Sequence, residues 1–112
     1  MCMSKYRTKL QIVAEILEIV KGGAKKTHIM YKANLSYKLL CKYLEEVLKC
    51  GFVKVEPDGG YAVSSKGCEF LDRFEAYRNR RKVLSHELSE VEEEKKSLEE
   101  MYSNSMRGYG KR

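Results

Sequence analysis

The apolar positions of the chain change period three times, and each change predicts an element. Leu10, Val13, Ile16, Leu17 and Val20 recur at helical spacing, and Gly22-Gly23 follows, which predicts a first helix over about residues 5–21. A shorter helix fits residues 27–33, with Ile29, Met30 and Ala33 facing a core. Asn34 suits a left-handed stop, and Leu35 then turns inward. The strongest pattern lies in residues 36–50. Leu40, Tyr43, Leu44, Val47 and Leu48 make one apolar stripe, with Lys38, Lys42, Glu45 and Lys49 on the opposite face. Ser36 suits the N-cap of this third helix and Gly51 the position just beyond its end.

After Gly51 the period becomes extended. Phe52-Val53-Lys54-Val55-Glu56 alternates, Pro57-Asp58-Gly59-Gly60 signals a turn, and Tyr61-Ala62-Val63 reads as the returning strand. Three helices followed by a β-hairpin give a mostly α chain with one small hairpin. This is the element order of a winged helix-turn-helix, with residues 4–65 as the domain and 57–61 as the wing. The turn is short and acidic, so backbone contacts from Gly59, Gly60 and Tyr61 to a partner are expected there rather than base readout.

From residue 66 to about 102, with Ser65 as N-cap, the pattern predicts one long helix of ~37 residues, roughly 55 Å at ~1.5 Å per residue. Phe74, Arg81, Leu88, Lys95 and Tyr102 occupy heptad position a, and Phe70, Tyr77, Leu84, Val91 and Leu98 occupy d. The unbroken 4-3 spacing predicts a coiled coil with a second copy. Charges select its direction. A parallel pair sets Arg73 against Arg78, Glu87 against Glu92 and Glu94 against Glu99, all repulsive. An antiparallel pair centred near His86 sets Arg78 against Glu92 and Arg80 against Glu94, with Leu88 facing Leu84, Phe74 facing Leu98 and Tyr102 facing Phe70. One like-charged pair, Glu87 with Glu87 of the other copy, remains at the dyad. The expectation is an antiparallel homodimer. A lone charged helix packed on its own domain is the competing reading, as is a second DNA patch at Arg78, Arg80, Arg81 and Lys82. Residues 103–112 are expected to be a disordered basic tail.

Charge shows where a partner would sit. The net charge is +6 and the pI about 9.1. Residues 1–66 hold twelve Lys/Arg against six Asp/Glu, whereas residues 67–112 hold ten of each. The basic excess therefore belongs to the N-terminal unit and favours a polyanion. Candidate DNA contacts are Lys5, Arg7 and Lys9 ahead of the first helix, and Lys26 and Thr27 opening the second. On the third helix they are Ser36, Tyr37, Lys38, Cys41 and Lys42. A frayed basic terminus and a solvated lysine face are the bland alternatives. Four cysteines without a C-x-x-C pair and two isolated histidines suggest neither a metal site nor a cofactor. No Gly-rich phosphate loop or nucleophile–base spacing suggests an enzyme. No signal peptide or membrane span is read, so a reducing, cytoplasmic setting is expected.

The run Thr27-His28-Ile29-Met30-Tyr31-Lys32-Ala33-Asn34-Leu35-Ser36-Tyr37 is followed by Tyr43-Leu44, Gly51-Phe52-Val53 and Ser65-Lys66-Gly67-Cys68-Glu69-Phe70-Leu71. Together they resemble archaeal winged-helix DNA-binding proteins, most nearly the Sul-ten-a family, over roughly residues 5–102. The resemblance implies double-stranded DNA binding through the third helix and wing, in a chromatin-associated, nucleoid-localised or transcription-regulating role. It points to Ser36, Tyr37, Lys38 and Lys42. Arg, Asn and Gln are absent from residues 36–50, so low sequence specificity is expected. The alternative function is a winged-helix protein-interaction module in a larger assembly.

Overall fold

A computed structural model describes residues 6–109. Helix α1 (Lys9–Ile19) starts later than its apolar spacing predicts, because Thr8 builds a capping box. Thr8 Oγ1 accepts from the Gln11 N–H at 3.1 Å, and Gln11 Oε1 accepts from the Thr8 N–H at 2.8 Å. Ile12, Val13, Ala14, Ile16 and Leu17 are buried. Leu10 is 51% exposed, contrary to its place in the predicted stripe, since it lies in the first turn beyond the covered length of the helix. A 3-10 turn (Val20–Gly22) follows.

Ala24 is then extended and bridges Tyr61, the two backbones exchanging hydrogen bonds of 2.9 and 2.7 Å. Helix α2 (Lys26–Ala33) stops at Asn34, which is left-handed at φ 54°, and Leu35 turns into the core as its sequence position predicts. Helix α3 (Tyr37–Lys49) is capped by Ser36, whose Oγ accepts from the Leu39 N–H at 3.2 Å. Its buried stripe is Leu40, Tyr43, Leu44 and Val47. Strands β1 (Val53–Val55) and β2 (Tyr61–Val63) pair antiparallel, with Val53 opposite Val63 and Val55 opposite Tyr61.

Helix α4 (Ser65–Tyr109) runs for 45 residues. Ser64, not Ser65, caps it: the Ser64 Oγ accepts from the Gly67 N–H at 3.1 Å and donates to the Gly51 carbonyl. Gly67 is there because the chain passes too close for a side chain. A Cβ at that position would stand 2.3 Å from the Phe52 carbonyl oxygen and 2.6 Å from Val63 Cγ2. The helix also continues past Tyr102, so the disorder expected from residue 103 does not hold through Tyr109. Ser103, Asn104 and Ser105 are weak helix formers but not breakers, and Arg107 donates to Asn104 Oδ1 across one turn.

The chain divides into two compact units, Met1–Glu75 and Ala76–Arg112. The first holds the core, in which α1, α2 and α3 bury their stripes with Val53 and with Leu71 of α4. The second is helical through Tyr109, and its side chains are exposed.

Candidate nucleic-acid interface

Ion pairing decides which cations of the first unit stay available. Of the six carboxylates in residues 1–66, four are engaged. Glu15 pairs with Arg7, Glu18 with Lys21 at 3.3 Å, Glu45 with Lys49 at 3.2 Å and Glu46 with Lys9 at 3.8 Å. Among the described residues, Lys25, Lys26, Lys32, Lys38 and Lys42 make no ion pair. They lie on α2, on its N-cap, and on the first half of α3.

The first turns of α2 and α3 meet at Lys26. Its ammonium stands 5.3 Å from the centre of the Tyr37 ring. The pKa of Lys26 is raised above the ordinary lysine value, first by the neighbouring Cys41 sulfur and then by the Tyr37 hydroxyl, with desolvation opposing weakly. Lys26 therefore stays cationic throughout the neutral range. Tyr37 is 62% exposed, Lys38 and Lys42 are exposed, and Cys41 is half-buried between them. Lys42 also lies 5.5 Å from the centre of the buried Tyr43 ring, so its stem covers the core while its head reaches solvent. The result is an open first half of α3, presenting an aromatic ring with Lys26 beside it and the exposed Lys38 and Lys42 on the same helix.

Several sequence-predicted site residues serve other ends. Arg7, expected as a phosphate contact, is structural. Its guanidinium pairs with Glu15 and donates to the carbonyls of Ala33 at 2.7 Å and Asn34 at 3.1 Å, tying the chain before α1 to the end of α2. Lys5 lies outside the described residues. Lys9 and Thr27 are exposed, with Lys9 near Glu46. The Ser36 Oγ accepts from the Leu39 N–H as the cap of α3, which leaves its O–H to donate. The wing backbone is not free to donate either. The Gly59 N–H bonds the Glu56 carbonyl at 2.9 Å, the Gly60 N–H bonds Asp58 Oδ1 at 2.9 Å, and the Tyr61 N–H bonds the Ala24 carbonyl. Contacts from these three amides are withdrawn, because the tight turn and the Ala24 bridge consume them. Lys25 and the exposed Lys54 of β1 were missed by sequence reasoning, and their only signal was charge on a polar position.

The heptad residues fall into two groups. Phe70 and Phe74 are half-buried in the first unit, where Phe70 lies 4.9 Å from Phe52 and stacks on Phe74 at 6.4 Å. Tyr77, Leu84, Leu88, Val91, Leu98 and Tyr102 are exposed, as are Arg78, Arg80, Glu92 and Glu94. Cys41, Cys50 and Cys68 are free thiols. Among the described residues no three His, Cys, Asp or Glu side chains gather, and no helix is long and apolar enough to cross a membrane.

Two proteins of Methanocaldococcus jannaschii are similar in sequence. Uncharacterized protein MJ0290 is 40% identical over 70 residues, 62% of this chain, and uncharacterized protein MJ0287 is 41% identical over 49 residues, 43% of this chain. The matched part spans 33% of the length of the first and 50% of the second. The fold is similar to the crystal structure of Sso10a-2, a DNA-binding protein from Sulfolobus solfataricus. The TM-score is 0.69 at 27% identity, covering 78% of this chain and 95% of that one. The winged helix-turn-helix family profile matches residues 6–82, more than half of the sequence, and the chain belongs to that family.

Proposed function

We propose that this protein binds double-stranded DNA as a homodimer, laying the N-terminal half of α3 in the major groove. The observation that carries the reading is the open first half of α3, where Lys26 stands beside the ring of the exposed Tyr37 and Lys38 and Lys42 are exposed on the same helix, with no carboxylate paired to any of the three. Recognition helices of helix-turn-helix proteins reach base edges with their N-terminal residues, which here are Tyr37 and Lys38. The lysines supply sequence-independent attraction to phosphates. No side chain on this face makes the bidentate base contacts of Arg, Asn or Gln, so sequence preference is weak. Similarity to Sso10a-2, whose structure is described as that of a DNA-binding protein, supports the same reading. The wing contributes through Lys54 rather than through its amides.

Dimerisation follows from the a and d stripe of α4, whose exposed Leu84, Leu88, Val91 and Leu98 would be covered by a second copy running antiparallel. A weakly specific dimer with two DNA-reading helices suits a chromatin-associated or transcription-regulating protein of the nucleoid, in the cytoplasm. The test is a fluorescence titration of duplex DNA at several salt concentrations, comparing wild type with a Lys38→Ala/Lys42→Ala variant. Each lost phosphate contact lowers the slope of log affinity against log salt by about one, so the variant loses about two. Absence of binding at low salt would overturn the reading and move the function to protein partners.

A further inference from the structure

We propose that α3 reads methyl groups in the major groove, with the Tyr37 ring and the Cys41 thiol forming an apolar edge that meets the C5 methyl of thymine. The proposal rests on the DNA reading above and goes beyond it by naming the base. Tyr37 and Cys41 are one turn apart, so they fall about 40° from each other around α3, next to the row of Lys38 and Lys42. Neither belongs to the buried stripe of Leu40, Tyr43, Leu44 and Val47. Tyr37 is 62% exposed and Cys41 is half-buried. The Lys26 ammonium stands over the Tyr37 ring, 5.3 Å from its centre, so a cation restrains a ring that the core does not hold. Cys41 is part of the same group, since its sulfur is the first cause of the raised pKa of Lys26 and the Tyr37 hydroxyl the second.

The base follows from what the groove offers to such an edge. Base pairs present hydrogen-bonding groups in the major groove and one apolar group, the C5 methyl of thymine. The face of an aromatic ring and a thiol, which behaves as a small hydrophobe, gain most from that methyl. Lys38 and Lys42 are different in kind. Their ammonium heads are compact, strongly hydrated charges that suit phosphates and make no two-point contact with a base edge. Because Lys26 already restrains the ring, little rotamer freedom is lost when the ring meets its target. Covering one methyl is worth about fourfold in affinity. That is a lean toward A·T sequence rather than recognition of a defined site, as befits a helix without Arg, Asn or Gln.

The experiment titrates the full chain, at one fixed salt concentration, with four duplexes of equal length. Two have the same A·T sequence, one with thymine and one with uracil, which removes the methyl and keeps every hydrogen-bonding group. Two have the same G·C sequence, one with cytosine and one with 5-methylcytosine, which puts a methyl where the groove had none. Wild type should bind the thymine duplex about fourfold more tightly than the uracil one, and 5-methylcytosine over cytosine by a similar factor. Tyr37→Ala should bind thymine and uracil duplexes alike, whereas Tyr37→Phe keeps the ring and should keep the preference. Each ratio compares two duplexes on the same variant, so a partial loss of folded protein cancels. Equal affinity of wild type for thymine and uracil duplexes overturns the methyl contact and leaves the DNA reading standing. A thymine preference that 5-methylcytosine does not reproduce, or that Tyr37→Ala does not remove, overturns it as well. No binding of any duplex at low salt overturns both readings.

Discussion

The Lys26 ammonium lies 5.3 Å from the centre of the Tyr37 ring, joining the first turn of α2 to the first turn of α3. The contact does two things at once. It brings a cation to the open end of α3, and it restrains the most exposed aromatic ring of that face. Lys26→Gln should therefore lower DNA affinity by more than the loss of one phosphate contact, while the salt slope falls by only about one. Lys25→Gln, which removes a cation from the N-cap position of the same helix without a ring partner, should change affinity and slope in proportion. Parallel salt titrations of the two variants check the difference.

Arg7 separates a structural cation from a binding one. Its guanidinium holds Glu15 and the last two carbonyls of α2. Arg7→Ala should destabilise the protein by about 1–2 kcal/mol, mostly through the carbonyls left without a donor, because the Glu15 carboxylate is 44% exposed and its ion pair is screened. Urea denaturation reads that loss. The salt slope of DNA binding should stay at the wild-type value, and a fall of one unit would return Arg7 to the list of phosphate contacts.

Gly67 is demanded by space alone. An added methyl would meet the Phe52 carbonyl oxygen at 2.3 Å, and that oxygen is held by the Ser64 N–H at 2.8 Å, so it cannot yield cheaply. Gly67→Ala should cost about 2 kcal/mol or more, near the upper range of overpacked sites, despite the better helix propensity of alanine. Thermal unfolding checks it. Gly108→Ala, where nothing lies within 4 Å of the added Cβ, is the control and should stabilise or leave the protein unchanged.

What could be read from the chain was what depends on near neighbours. The stripe of Leu40, Tyr43, Leu44 and Val47, the left-handed stop at Asn34 and the turn after Val55 each carry their cause within a few residues. What could not be read depends on residues far apart. Ala24 pairs with Tyr61 across 37 positions, as a single extended residue too short to show alternation. Arg7 looked like a phosphate ligand because its carbonyl partners, Ala33 and Asn34, are 26 and 27 positions away. The sequence reading places the cap at Ser65, and the structure places it one residue earlier, at Ser64. Only the approach of Gly51, which receives the Ser64 hydroxyl, separates them. At the candidate site the same divide holds. Tyr37, Lys38, Lys42 and Lys26 were legible as polar positions opening their helices, whereas the contact between Lys26 and Tyr37 comes from two first turns brought together by the fold.

The orientation of the proposed dimer is open to a charge exchange. In the antiparallel register Arg80 faces Glu94 of the other copy, and each pair occurs twice by symmetry. Both side chains are exposed, and neither forms an ion pair within its own chain among the described residues. Arg80→Glu should replace two attractions with two repulsions and weaken the dimer several-fold, since exposed pairs contribute only a few tenths of a kcal/mol to about 1 kcal/mol each. Glu94→Arg alone should weaken it similarly. Combining the two changes in one chain restores opposite charges at both ends, so the double variant should return close to the wild-type Kd in sedimentation equilibrium. A parallel dimer behaves differently, because Arg80 then faces Ser85 and Glu94 faces Glu99, so the Glu94→Arg change alone would strengthen it. The sign of that single variant therefore distinguishes the two orientations without any knowledge of the DNA.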